Sequence, residues 1–164
     1  MTSFTTHEGA CLYRVDDELK DFLESGVAAV VGTASADGRP HVARAWGMRV
    51  CEGREAMSIF LETARAAATL ADLEATGLIA VTVASPVTYR SVQLKGRWSG
   101  KAEADSEDLA WVQRHRDAFA TEAALVGDPP NVVRSRWMQD LFRVDFAIER
   151  AFDQTPGPLA GQPL

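Results

Sequence analysis

The fold of this chain is decided by residues 27–50, which have the sequence VAAVVGTASADGRPHVARAWGMRV. Residues 27–36 are apolar and rich in strand-forming side chains, and Asp37-Gly38 is a strong hairpin-turn signal. Residues 40–50 then predict the return strand. The segment therefore predicts an antiparallel β-hairpin, from which the rest of the chain can be interpreted.

Strands and single helices alternate on either side of this hairpin. A short amphipathic helix is predicted at residues 16–25, and strands at 56–61, 78–84, 89–104 and 141–152. Helices are predicted at 63–76, at 106–126 and as a short turn within 131–139, with Thr63 as a plausible N-cap. Neighbouring strands joined by short turns indicate an antiparallel sheet, and interspersed single helices favour α+β over βαβ units. A six-stranded antiparallel split β-barrel with flanking helices at its openings fits this order.

Composition limits the classes of protein that this chain can belong to. With 164 residues, 46% of them hydrophobic, we expect a single domain over residues 1–164 that ends in a Pro/Gly-rich tail at 153–164. A net charge of -6 disfavours nucleic acid as a partner. Cys11, Cys51 and the three scattered histidines have no metal-ligand spacing. No signal peptide or membrane-spanning run is present, so a soluble cytoplasmic protein is expected.

Three short motifs follow one another along the chain. Arg44 and Arg49 are five residues apart on the predicted return strand, within RAWGMR. Ala64-Arg65-Ala66, with Leu70 four residues after Ala66, lies at a predicted helix start. The segment RSVQLKG, residues 90–96, lies on a later strand.

In order and spacing, these motifs resemble the pyridoxamine 5'-phosphate oxidase superfamily of FMN-binding split barrels, in an uncharacterised bacterial branch. That family has Arg-x-x-x-x-Lys, then Ser-Arg-Lys, then Arg-Gln-x-x-x-x-Gly. This sequence departs from the pattern at Ala66, in place of a lysine, and at Ser91, in place of a glutamine. The resemblance implies an FMN cofactor and a homodimer whose cofactor cleft is built from both chains.

The basic residues suit a phosphate group on physical grounds. Arginine donates two parallel hydrogen bonds to a phosphate, so Arg44, Arg49 and Arg65 are candidate ligands, and Thr63 adds a hydroxyl at a helix start. Because residues 44 and 49 are an odd number apart, a regular strand points them to opposite faces. Both can serve one ligand only if the strand bulges, for which Gly47 is suited, or if Arg49 wraps around the strand end.

Two further groups of side chains are candidates for contact with the flavin ring. Trp46 and Met48 are expected to share a face with Arg44, although for Trp46 taken alone packing in the barrel core or at a dimer interface is the favoured explanation. Ser91, Gln93 and Lys95 are expected on one face of the strand 89–104, in which Gly96 is expected to mark a bulge or bend. This row is either a solvated face or a set of donors to the flavin. His115 is predicted to be a surface residue.

The sequence predicts an FMN-binding protein and, as its activity, a flavin-dependent oxidoreductase acting on an unidentified small molecule. No catalytic side chain and no metal site are predicted. Three alternatives stay open: a non-catalytic flavin-binding or redox-sensing protein, the same fold with a deazaflavin or haem ligand, and an interaction domain with an empty cleft.

Overall fold

The barrel predicted from the sequence is present in the computed structural model, which describes residues 11–135 and 140–164. Six antiparallel strands close in the order β1-β2-β3-β6-β5-β4, with β4 paired to β1. This confirms the predicted α+β class. The elements are α1 (Asp17–Leu23), β1 (Ala28–Ala34), β2 (Pro40–Val50), β3 (Ala56–Glu62), α2 (Ala67–Thr76), β4 (Leu78–Ala84), β5 (Ser91–Glu103), α3 (Ser106–Leu125), α4 (Pro130–Ser135) and β6 (Leu141–Asp153).

The hydrophobic core fills the interior of the barrel with alternate residues of every strand. Helix α1 covers one opening with Leu19 and Leu23, and α2 covers the other with Leu73. Each large aliphatic side chain buried in this way contributes about 1.5–3 kcal/mol through the hydrophobic effect. Alternation along the strands therefore fixes which side chains face outward. The largest fully buried side chains of the interior include Met48, Met57, Ile59, Leu94, Phe146 and Ile148.

Two glycines allow the strands to depart from regular pairing. In β2 the register shifts between Ala45 and Met48, around Gly47. In β5 it shifts at Gly96, as the sequence predicts, and a Cβ at this position would overlap the carbonyl oxygen of Ala147 on β6. The close approach of the two backbones therefore requires glycine at position 96.

Helix α3 lies outside the barrel and crosses the outer face of β2. The indole Nε1 of Trp111 donates a hydrogen bond of 2.9 Å to the carbonyl of Met48. A Cβ on Gly26 would come within 2.5 Å of the carbonyl oxygen of Ala118, so glycine allows the helix to approach the chain before β1 closely. Beneath the helix, Phe60 packs with Val112 in a second apolar cluster.

The prediction that Thr63 caps a helix is wrong. Residues Thr63–Arg65 form a 3-10 turn, and α2 begins at Ala67 with Ala66 as its N-cap and no side-chain capping bond. Thr63 is used elsewhere, because both its backbone N–H and its hydroxyl donate to the carbonyl of Asp140. Thr63 thus ties the end of β3 to the start of β6.

The C-terminal tail folds back along its own barrel. The backbone N–H of Gln154 donates to the carbonyl of Ser91 at 2.8 Å, and that of Leu164 donates to Ala151 at 3.0 Å. A single β-bridge joins Phe152 to Pro163. The tail therefore lies against β5 and β6 of its own chain. Of the helical turn predicted within residues 131–139, the part at 136–139 lies outside the described residues.

Candidate functional site

The bulge at Gly47 places both predicted arginines of β2 on the outer face of the barrel, as the two-ligand hypothesis requires. They nevertheless contact α3 at widely separated positions. Arg44 stacks over Phe119 at 5.3 Å, whereas Arg49 bonds to Asp108 at 2.9 Å. Residues 108 and 119 are about 16 Å apart on a helix that rises 1.5 Å per residue. The structure therefore does not bring Arg44 and Arg49 together on one small group.

Arg49 belongs to a network of ion pairs that holds the start of α3. The buried carboxylate of Asp108 accepts from Arg49 and from Arg143, each at 2.9 Å. Arg143 also pairs with Asp145, whose carboxylate accepts from Ser58 at 2.6 Å. This network gives Arg49 a structural role, in which it fastens α3 to the barrel.

Met48 lies on the opposite side of the strand from the predicted position. The bulge changes the alternation, so Met48 points into the barrel interior and is fully buried. Trp46 keeps the outward position beside Arg44 but is half-buried in the cluster under α3. The expectation that Met48 shares a face with Arg44 is therefore wrong.

Arg44 lies beside the end of β3, and Thr63 and Arg65 directly follow that end; we call these three residues the rim cluster. Pairing of Ala45 with Leu61 sets Arg44 beside Glu62, directly before the turn that contains Thr63 and Arg65. Arg65 is exposed and pairs with Glu62 at 3.2 Å. Ala66, where the related family has a lysine, is buried in the barrel core and does not face this rim. The uncapped start of α2 follows immediately.

Ser91, Gln93 and Lys95 form an outward-facing row on β5, as predicted, which we call the β5 row. They alternate with inward-facing Val92 and Leu94. Each member also contacts a neighbour. The amide of Gln93 donates to the Thr82 hydroxyl at 2.9 Å, the Lys95 ammonium lies 5.0 Å from the centre of the Phe152 ring, and Ser91 donates to the carbonyl of Tyr89 at 3.0 Å.

The rim cluster and the β5 row lie on opposite sides of the barrel. In the strand order, β1 and β4 separate β2 from β5 on one side, and β3 and β6 separate them on the other. Outward side chains on strands three apart in a ring of six point away from each other. One ligand cannot contact both groups of the same chain.

His115 was not recognised from the sequence as a buried residue, and its predicted surface position is wrong. The side chain is only 7% exposed, and its Nε2 lies 3.1 Å from the carbonyl of Val27. The spacing of Trp111, His115 and Phe119, which are four residues apart on one helix face, is the sequence pattern that could have indicated the burial of His115. Burial lowers the pKa of His115, assisted by the charge of Arg44 and opposed by the Val27 hydrogen bond.

A small cavity of about 20 Å³, which we call the α3 cavity, lies between α3 and the outer face of β1 and β2. Two buried polar atoms of its lining residues, the Nδ1 of His115 and the Nε of Arg116, have no hydrogen-bond partner among the described residues. Its lining residues are Val27, Ala28, Ala29, Arg44, Ala45, Trp46, His115, Arg116 and Phe119.

A separate polar cluster joins α2 to the barrel. Asp72 is buried and accepts hydrogen bonds from Thr33 at 2.7 Å and from His41 at 2.8 Å. Burial alone would raise the pKa of Asp72, but the two hydrogen bonds and the nearby His41 outweigh it and lower the pKa.

Within the described residues, no group of three His, Cys, Asp or Glu side chains is placed to hold a metal ion. No described helix is long and apolar enough to cross a bilayer.

The six-stranded antiparallel barrel, with a helix over each opening and a third on its wall, defines a split-barrel domain. The sequence matches the model of the pyridoxamine 5'-phosphate oxidase family over residues 15–154, so the chain belongs to that family. None of the curated proteins compared with it matches.

Solved structures with this fold are only distantly related in sequence. HupZ from Group A Streptococcus has a TM-score of 0.56 at 17% identity, covering 90% of this chain and 99% of that one. An F420 reductase has a TM-score of 0.56 at 15% identity, covering 84% and 98%. A protein from Lactobacillus delbrueckii, described as a putative pyridoxamine 5'-phosphate oxidase, has a TM-score of 0.53 at 16% identity, covering 85% and 93%. These likenesses establish the fold.

Proposed function

We propose that this protein is a cytoplasmic homodimer that binds FMN in two equivalent clefts. Each cleft combines the rim cluster of one protomer with the β5 row of the other. The observation that carries the proposal is the opposite placement of these two groups on one barrel. The rim cluster contains arginines of two family motifs, and the β5 row lies within the segment that resembles a third, yet only a second chain can bring the two groups to one ligand. Membership of the oxidase family supports FMN as that ligand.

An apolar patch on the barrel wall supports the dimer. Val30, Val42 and Leu78 are large, exposed side chains on the outer faces of β1, β2 and β4. Gly32 pairs with both Val42 and Ala80, so these strands form one surface with few bulky groups between the exposed side chains. An exposed apolar patch of this kind is typical of an interface.

The strand register sets which residues meet in such a dimer. Val30 pairs with Arg44 on one side and with Thr82 on the other, and Thr82 pairs with Gln93. These residues form one row across the patch. A two-fold axis parallel to the strands reverses the row, so that Arg44 of one protomer lies over Gln93 of the partner subunit.

The side chains present suit the two ends of FMN. Arg44 and Arg65 supply cationic donors for the phosphate, and the uncapped start of α2 offers backbone N–H groups, whereas the Thr63 hydroxyl already donates its proton to the Asp140 carbonyl. Gln93 and Lys95 would donate hydrogen bonds to the polar edge of the flavin. When bound, the flavin supplies electron transfer to or from a small organic substrate, and the protein supplies position and electrostatics.

A non-catalytic flavin-binding or redox-sensing protein is the second candidate. It is favoured by α3, which covers the outer face of β2 between Arg44 and Arg49 and reduces the room beside the flavin. The shared fold of the F420 reductase makes a deazaflavin the alternative ligand on the same surface.

The visible absorption spectrum of the purified protein, followed by titration with FMN, tests the proposal. Flavin, deazaflavin and haem have different spectra, so the spectrum identifies any cofactor that is retained. The proposal predicts a flavin spectrum, or saturable quenching of FMN fluorescence at one FMN per chain. A colourless protein that does not quench added FMN would refute it. Oxidation of NAD(P)H by the loaded protein then favours the enzyme over the sensor.

A further inference from the structure

Strands β5 and β6 carry five basic side chains, and two of them, Lys95 and Arg150, have no acidic partner. The other three form ion pairs with acids, namely Arg97 with Glu149, Lys101 with Glu74 and Arg143 with Asp108. Among the residues that the structure describes, no carboxylate lies within ion-pair distance of Lys95 or Arg150. The contact of Lys95 with the Phe152 ring leaves its charge unneutralised.

A bulge in β6 sets these two cations opposite each other. Gly96 pairs with Ile148, so regular antiparallel pairing would place Glu149 opposite Lys95. The register instead shifts between Lys95 and Gly96, and Lys95 pairs with Arg150. Like charges directly opposite on a sheet, with Cβ atoms about 4.5–5.5 Å apart, are destabilising. The bulge therefore replaces an expected ion pair by a pair of cations that a bound anion would stabilise.

Arg150 extends the β5 row onto the neighbouring strand. In the proposed cleft Lys95 donates to the polar edge of the flavin, and Arg150 is exposed directly beside Lys95. The ring system of oxidised FMN is neutral, whereas two-electron reduction with uptake of one proton leaves it with one negative charge at neutral pH. Positive charge beside this edge therefore stabilises reduced FMN more than oxidised FMN.

We propose that the cleft binds reduced FMN more tightly than oxidised FMN, and that Lys95 and Arg150 together supply the charge responsible. This inference rests on the proposed function and deepens it. By favouring the reduced state, the protein would strengthen the tendency of FMN to accept electrons. The favoured reaction is then the oxidation of a substrate, in which two electrons pass from the substrate to FMN.

The test compares the midpoint potential of FMN bound to the purified protein with that of free FMN under the same anaerobic conditions. The difference between the two potentials gives the ratio of the affinities for reduced and oxidised FMN, without need of a substrate. We expect the unmodified protein to bind reduced FMN about tenfold more tightly, which is a difference of about 30 mV for a two-electron couple.

Variants at one position separate the charge from the shape of the side chain. Arg150→Gln should lower the affinity ratio about fivefold, and Arg150→Lys, which keeps the charge, should restore it. Arg150→Glu would give Lys95 an acidic partner and should lower the ratio further. Lys101→Gln is the control, because it removes the same charge from β5 about 20 Å along the strand from Lys95 and should leave the ratio unchanged.

The urea midpoint of Arg150→Gln shows that the fold is retained, since removal of one of two like charges should not lower it. An affinity ratio of one or less in the unmodified protein, or the same ratio in Arg150→Gln, would overturn this inference and leave FMN binding intact. A protein that binds FMN in neither redox state would refute the proposed function itself, and this inference with it.

Discussion

Arg44 and Gln93 belong to one cross-strand row of the barrel wall, yet their side chains face opposite sides of the barrel. Val30 and Thr82 lie between them in the row, on β1 and β4. Because the row passes through the exposed apolar patch, burial of that patch against a second copy would bring Arg44 and Gln93 together across an interface. The proposed cofactor cleft and the proposed dimer are therefore one hypothesis.

Replacing an apolar residue of the patch should separate the protomers. Val42→Lys places a charge on a side chain that is 71% exposed in one protomer and would be buried in the dimer. We expect analytical ultracentrifugation to show dimers for the unmodified protein and mainly monomers for the variant. Leu125→Lys is the matched control, since Leu125 is 70% exposed and lies at the end of α3, not on the three strands that carry the patch. Equal dissociation in the two variants would argue against this interface.

The rim cluster can be tested by a single charge removal. Arg65→Ala should weaken FMN binding about tenfold or more, because a charge-assisted hydrogen bond to phosphate contributes about 1.5–3 kcal/mol. Fluorescence quenching gives the affinity. Arg39→Ala is a fitting control, because both arginine side chains are highly exposed, 79% and 82%, and each pairs with a nearby acid. An affinity for FMN that is unchanged in Arg65→Ala would remove Arg65 from the site.

The two glycines of β5 should differ in their tolerance of a methyl group. In Gly96→Ala the new Cβ would overlap the Ala147 carbonyl oxygen, so β5 and β6 would have to separate, and we expect a loss of at least about 3 kcal/mol in the free energy of unfolding. Gly100→Ala lies on the same strand and its Cβ meets nothing within 4 Å. Urea unfolding of both variants measures the difference. Similar midpoints would contradict the close approach at Gly96.

The buried histidine should make stability depend on pH. The unfolded chain protonates His115 near pH 6.5, whereas the lowered pKa delays protonation in the folded chain to lower pH. The unfolded state therefore binds more protons as pH falls below about 6.5, and stability decreases there. His115→Gln should show a shallower fall in melting temperature between pH 7 and pH 5. Parallel curves for the two proteins would place His115 in solvent.

The barrel could be predicted from the sequence because its strands are either short apolar runs or alternating segments, and its turns contain strong signals such as Asp37-Gly38. The family motifs likewise directed attention to Arg44 and Arg65. The faces of β2 were harder to predict, because the bulge around Gly47 depends on pairing with β3 and reverses the direction of Met48. The burial of His115 arises from α3 packing over β2, a contact between distant parts of the chain. The pairing of Arg49 with Asp108 has the same origin.

Mixed dimers test the central claim, that each cleft is built from two chains. Arg65→Ala and Gln93→Ala are each expected to weaken FMN binding in their own homodimers. A heterodimer with one variant in each protomer, isolated through two different affinity tags, retains one cleft with both groups intact. The account predicts that this heterodimer binds about one FMN per dimer with the affinity of the unmodified protein. If the heterodimer binds no more tightly than the two variant homodimers, the cleft is not shared between chains, and the account is contradicted.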